Sequence, residues 1–117
     1  MIERDDHVIV FLPRKRMVRE VVGRHGRIDC LVNSAGIVRT QALLDISPQD
    51  LDTMLDVNLK GAFFAMQAAA PLMCDGGSIV VTGSIGSVAA VPGNVAYAAA
   101  KAGLRAAIRI IGKELLP

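Results

Sequence analysis

Tyr97 and Lys101 stand four residues apart in a stretch from Thr82 to Lys101 that reads TGSIGSVAAVPGNVAYAAAK. On a helix that interval is about one turn, so both side chains project from one face. A free phenol titrates near pH ~10, and a cation beside it favours the phenolate. Such a pair suits acid/base work near neutrality. Ser84 and Ser87 add two hydroxyls in the loop before the helix. Periodicity does not choose between them, and either also reads as an ordinary turn or cap residue. Tyr97, the only tyrosine in the chain, also reads as a simple boundary aromatic.

The elements that must position these groups follow from the apolar pattern. Residues 7–12, HVIVFL, read as a short buried strand closed by Pro13. Met17, Val18, Val21 and Val22 recur at helical spacing up to Gly23, and Gly26 ends that element. Ile28 to Val32 reads as the next strand, running straight into Asn33-Ser34-Ala35-Gly36. That tetrapeptide is open to two readings, a plain turn or part of a site, because Asn, Ser and Gly are all turn formers.

Ser47 is a candidate N-cap with Pro48 at the first helical position and Asp50 placed to help the helix dipole. Leu51, Leu55, Asn58, Ala62 and Met66 then draw one stripe of a helix over 48–72, with a polar amide inside it. Asn58 needs a partner there, since an unpaired buried amide costs about 1–3 kcal/mol. Gly61 beside it permits a close approach at about 1 kcal/mol of helix propensity. Asp56 and Lys60 read as an exposed ion pair. Gly76-Gly77 breaks the chain before Ser78-Ile79-Val80-Val81, a run that fits a strand buried on both faces. The last helix is expected over 95–115, with Tyr97, Lys101, Leu104, Ile108, Ile111 and Leu115 on one stripe. A lysine in line with core residues is rarely without a partner.

Strand, helix, strand, helix, strand, helix argues a parallel sheet with right-handed crossovers. In such sheets ligands bind beyond the carboxyl ends of the strands, where both Asn33-Ser34-Ala35-Gly36 and Thr82-Gly83-Ser84 fall. A net charge of +2, from 13 basic and 11 acidic residues, gives no electrostatic case for nucleic acid or a membrane surface. The basic run Arg14-Lys15-Arg16 reads as a solvated helix start. The opening MIERDD is acidic where a secretory signal is basic, and no apolar run approaches the ~20 residues of a membrane span. Cys30 and Cys74 lack metal spacing and are expected to be reduced, in a cytoplasmic protein. The chain is 52% hydrophobic with a mean hydropathy of +0.44, which suggests surface meant to be covered.

Ser84, thirteen positions before Tyr97, the YAAAK spacing, the Pro92-Gly93 turn and the upstream NSAG together resemble the active-site segment of the short-chain dehydrogenase/reductase family. The resemblance covers about residues 17–117, leaving 1–16 unmatched, and implies an α/β, Rossmann-like three-layer fold with a parallel sheet, incomplete at about three strands and three helices. It implies NAD(P)-dependent carbonyl reduction or alcohol oxidation on a small molecule, with Tyr97 as acid/base. Ser84 would bind the substrate oxygen, and Lys101 would hold the nicotinamide ribose. Asn58, in DVNLKG, would complete the proton path. Asn33, Ala35 and Gly36, with Tyr97 and Lys101, would line the cofactor, Ser34 taking the place of the family's second asparagine. The family commonly oligomerises through the two long helices, here 48–72 and 95–115. Ala98, Ala99, Ala100, Ala102, Gly103, Ala106 and Ala107 would permit close packing there.

Neither the family's glycine-rich phosphate loop nor the residue that reads the cofactor ribose occurs in these residues, so NAD and NADP are not distinguished. Two function classes stay open. One is a carbonyl/alcohol oxidoreductase, incomplete as an isolated chain. The other is a non-catalytic module that associates with copies of itself through the two helices.

Overall fold

The computed structural model describes residues 14–116, so the strand expected at 7–12 lies outside the described residues. Helix α1 spans Arg14–His25 and strand β1 spans Ile28–Asn33. Helix α2, Pro48–Leu55, passes through a π-helical turn, Asp56–Lys60, into helix α3, Gly61–Ala69, and a 3-10 turn follows at Ala70–Leu72. Strand β2 covers Met73–Val81, and helix α4 covers Val95–Glu114. The fold is α/β, with β1 and β2 parallel and Leu31, Val32 and Asn33 paired to Ile79, Val80 and Val81. The expected long helix over 48–72 is therefore one continuous path whose middle turn is widened.

The glycine pair does not end the chain's run before β2 as the sequence suggested. Ile28 pairs with Met73 and Cys30 with Ser78, so the ladder jumps across residues 74–77, a bulge inside the strand. Gly76 takes φ +78°, a conformation that other residues adopt at a cost, and that is what lets the bulge turn back into register.

Helices α1, α3 and α4 cover one face of the sheet. Val18 of α1 packs with Ile28 and Ala69, while Ala62 and Met66 of α3 pack with Leu104 of α4. Leu31 touches both groups, which places α3 between α1 and α4 over the strands. Ile79, Val81, Ile108 and Ile111 complete the second group. The apolar stripe expected on α4 points inward as far as Ile111, whereas Leu115 at its end is exposed.

Val80 corrects the expectation of a strand buried on both faces. Successive strand residues alternate sides, and Val80 with its cross-strand neighbour Val32 lies on the face without a helix among the described residues. They are 51% and 56% exposed. Two layers of the three are thus present here. The small residues of α4 divide in the same way. Ala100 is buried and Gly103 packs on Leu59 inside the chain, while Ala99, Ala102 and Ala106 face outward.

The loop after β1 is tied down at the start of α2. Ser47 caps the helix, accepting from the Asp50 amide at 3.1 Å and donating to the Asp50 carboxylate at 2.9 Å. Gln41 donates to the same carboxylate at 2.9 Å, and Arg39 pairs with its other oxygen. The Gln41 amide donates to the Gly93 carbonyl at 2.8 Å, which joins this loop to the turn before α4. Hydrogen bonds from Gln41, then Ser47 and Arg39, hold the Asp50 carboxyl below its usual range.

A depressed carboxyl stabilises the fold above its ordinary range and loses that contribution as pH falls through its folded-state value. Asp50→Asn is therefore expected to flatten the fall in melting temperature between pH 6 and pH ~3, with mutant and wild-type curves drawing together at the acid end. Asp29, lowered by its hydrogen bond from Arg27, leaves a residual slope of the same sign. Thermal melts across this range check it, and an unchanged acid slope would contradict the role given to Asp50.

Candidate active site

Asn58 is the most constrained polar group near the strand ends. It is 1% exposed, and its amide nitrogen donates to the carbonyls of Ile37 at 2.9 Å and Met54 at 3.0 Å. Its oxygen accepts from the Ile37 amide at 3.0 Å. Both polar ends of one peptide-bearing residue in the loop after β1 are thus gripped by a single side chain.

The Met54 carbonyl is the acceptor that an α-helix would offer to the amide of residue 58. Here the Asn58 side chain donates to it, and Gly61 bonds five residues back to Asp56 at the end of the widened turn. The π turn thus goes with a buried amide donating into its own helix. Asp56 and Lys60, which flank it, form the exposed ion pair expected from their spacing, at 2.7 Å.

Gly36 is the residue that this grip leaves no room to enlarge. A Cβ there would lie 2.9 Å from Asn58 Oδ1 and 3.6 Å from Lys101 Nζ. The first is closer than real Cβ atoms come. The same two distances show that Asn58 and Lys101 meet at the backbone of the NSAG segment. Ala35 is half-buried beside it, and Asn33 contributes its carbonyl, which accepts from the Thr82 amide at 2.9 Å.

Lys101 is 4% exposed, and its ammonium donates to the Thr82 carbonyl at 3.0 Å. No carboxylate pairs with it among the described residues. An ammonium carries three donors, so two remain for a ligand. The nitrogen also lies 5.9 Å from the centre of the Tyr97 ring, at the outer limit of a cation–π contact. The two side chains share one face of α4, as their spacing requires.

Ser84 follows β2 by three residues and caps the short 3-10 turn Ile85–Ser87. Its oxygen accepts from the Gly86 amide at 3.1 Å, leaving its own hydrogen free to donate. Ser87, the rival hydroxyl, donates instead to the Ser84 carbonyl at 2.7 Å, so it is a structural partner of the loop. A Cβ on Gly86 would lie 3.4 Å from Ser84 Oγ and 3.7 Å from the Tyr97 ring, so Ser84 and Tyr97 flank this glycine. Beside them a cavity of about 270 Å³ is lined by Val81, Gly83, Ser84, Ser87, Leu104, Arg105 and Ile108. It lies between the end of β2 with its following loop and α4.

Sequence reasoning did not single out Thr82 or the backbone of Ile37, although each touches a candidate residue. Main-chain acceptors leave no trace in residue type. Ser34 was noted as a departure from a motif, and it accepts from the Thr82 hydroxyl at 3.0 Å. The residues present fit the ribose end of a nicotinamide cofactor, on the ground of a buried ammonium with two spare donors at the carboxyl ends of a parallel sheet. Among the described residues no group of three or more His, Cys, Asp or Glu is gathered.

A family model described as enoyl-(acyl carrier protein) reductase matches residues 13–117. The 3-oxoacyl-(acyl-carrier-protein) reductase FabG of Thermotoga maritima is 42% identical over 103 residues, an overlap of 86% of this chain and 42% of that protein. FabG of Staphylococcus aureus is 38% identical with the same two coverages. Among solved structures, a short-chain dehydrogenase/reductase from Serratia marcescens superposes with a TM-score of 0.84 at 34% identity, over 87% of this chain and 42% of that one. A dehydrogenase/reductase from Sinorhizobium meliloti also gives 0.84, at 33% identity, over 87% and 41%. The chain spans about two fifths of the length of the relatives it matches.

Asn58→Ala strips partners from both polar ends of Ile37, and we expect it to destabilise the fold by roughly 2–4 kcal/mol. Gly36→Ala, which forces a methyl against Asn58 Oδ1, is expected to cost about 1–3 kcal/mol. Because the obstructing atom disappears with Asn58, the second cost shrinks in the double variant. Urea unfolding of the three variants measures this; strictly additive costs would show that Gly36 and Asn58 do not constrain each other.

Proposed function

Because the chain belongs to the short-chain dehydrogenase/reductase family, we propose that it carries the acid/base centre of an NAD(P)-dependent oxidoreductase acting on a small carbonyl compound or alcohol. The observation that carries this reading is the meeting of Asn58 and Lys101 at Gly36, with Lys101 anchored two residues before Ser84 on the turn that Tyr97 also borders. A bound nicotinamide supplies or accepts the hydride.

The chain's own residues do the rest. Ser84, whose oxygen is held by the Gly86 amide, donates its hydroxyl to the substrate oxygen and stabilises the charge that develops there. Tyr97 delivers a proton to that oxygen in reduction and takes it back in oxidation. Lys101 offers its two remaining donors to the ribose and keeps positive charge beside the phenol. Asn58 holds the Ile37 segment against α2 and completes the proton path. Asn33, Ala35 and Gly36 would line the bound cofactor. NAD and NADP are equal candidates.

A second reading is supported by the outward face of α4. Val95, Ala99, Ala102, Ala106 and Ile110 recur at intervals of four, three, four and four, and all are exposed. An apolar stripe of small residues on a helix suits close packing against a copy of itself, so we assign self-association to α4 together with the α2–α3 path. Among the described residues both cysteines are free, and no helix is long and apolar enough to cross a membrane.

Titration of the purified chain with NADH and NADPH, followed by nicotinamide fluorescence, tests the cofactor reading. Saturable binding of at least one of them is expected, weaker than micromolar because the glycine-rich phosphate loop is not among these residues. Tyr97→Phe is expected to keep that binding while lowering any turnover by about 10²-fold or more. Absence of binding up to millimolar cofactor would leave self-association as the reading to pursue.

A further inference from the structure

Thr82 makes three hydrogen bonds with three different atoms, and each leads to a different part of the site. Its amide donates to the Asn33 carbonyl at 2.9 Å, extending the β1–β2 ladder past the end of β2. Its hydroxyl donates to Ser34 Oγ at 3.0 Å. Its carbonyl accepts from Lys101 Nζ at 3.0 Å. The first two bonds fix the residue to the NSAG segment, and the third holds the ammonium.

We infer that Thr82 is a positioning residue for Lys101, and that the hydroxyl pair Thr82–Ser34 aims the Thr82 carbonyl at the buried ammonium. A carbonyl at the end of a strand, with a loop following, has freedom to rotate about its flanking torsions. The ladder bond restrains one side of Thr82, and the side-chain bond restrains Thr82 itself against the neighbouring strand end. With both in place, a single neutral acceptor suffices to hold a cation that is 4% exposed and has no carboxylate partner among the described residues. Neither hydroxyl belongs to the reacting set, and both residues are exposed. Their job is geometric: they couple the segment proposed to line the cofactor with the lysine proposed to hold its ribose. This role deepens the oxidoreductase reading and rests on it for its purpose, but the coupling itself is a property of the free chain.

The test therefore uses no cofactor. Reductive methylation with labelled formaldehyde, read by mass spectrometry, measures the reactivity of each lysine; Lys15, Lys60 and Lys113 are exposed and serve as internal references. Thr82→Val keeps the shape and removes the hydroxyl. It is expected to raise the Lys101 rate roughly fivefold, the factor that loss of one ordinary hydrogen bond allows, while amide exchange at Ala100 and Leu104 stays as in the wild type. Thr82→Ser, which restores the hydroxyl, returns Lys101 to its slow rate. Ser34→Ala removes the same bond from the other side and reproduces the Thr82→Val result, which keeps the test open if Thr82→Val folds poorly. An unchanged Lys101 rate in both Thr82→Val and Ser34→Ala would overturn the inference. So would a rise matched by faster exchange at Ala100 and Leu104, which marks general loosening. A failed NADH titration alongside a fivefold Lys101 response would overturn the cofactor reading and leave the coupling intact.

Discussion

A single buried amide sets the form of the site. Asn58 exchanges two hydrogen bonds with the backbone of Ile37 and donates a third to Met54, four residues earlier in its own path. Each bond contributes only about 1 kcal/mol net, yet each buried partner left unpaired costs about 1–3 kcal/mol. The amide is therefore hard to replace with anything of another shape. Its consequences spread outward: the helix widens into a π turn, the loop after β1 is held against it, and position 36 admits only a hydrogen. A local irregularity in one helix thus positions a segment that belongs to the sheet.

The second constraint is a charge kept in a dry place. Burying an ammonium costs several kcal/mol when nothing compensates, and a carboxylate partner would be the usual remedy. Lys101 instead meets a neutral carbonyl. A carboxylate would have occupied the cation's strongest direction and reduced its pull on any other negative or hydroxyl-bearing group. Holding it by a neutral acceptor leaves its charge and two donors available, which is the arrangement a ligand-binding lysine needs and a purely structural one does not.

Much of this was legible before the fold. Caps announce themselves by residue type, and Ser47 with Pro48 and Asp50 marked the start of α2 to the residue. Helical stripes placed Asn58 and Lys101 among core residues, which is where they are buried. What could not be read depends on neighbours distant in the chain. The π turn requires the Asn58 side chain to donate to its own helix, and a helical stripe does not report a widening of one turn. Thr82 acts through two main-chain atoms and a hydroxyl, so its residue type hardly marks it. The Gly76-Gly77 pair signals a break in strand propensity, but only the Ile28–Met73 pairing shows that the strand resumes on both sides of a bulge. Val80 looked like a residue buried on both faces because apolar runs carry no information about which layers surround them.

The packing is also one-sided. The core formed by α1, α3 and α4 lies entirely on the face of the sheet that carries Leu31 and Ile79. The bonds from Asn58 to Ile37 and from Lys101 to Thr82 tie the helices of that covered face to the segments after the two strands, while the bond to Met54 stays within the helical path. The Thr82–Ser34 hydroxyl pair, two residues past Val80 and Val32, braces the carbonyl that holds Lys101. The hydrogen bonds that position Asn58 and Lys101 are all made within the described residues, whereas a glycine-rich turn at a helix N-terminus, the usual holder of phosphates, is not among them. Val32 and Val80 leave apolar area exposed on the open face, and burying such area is worth about 25 cal/mol per Å².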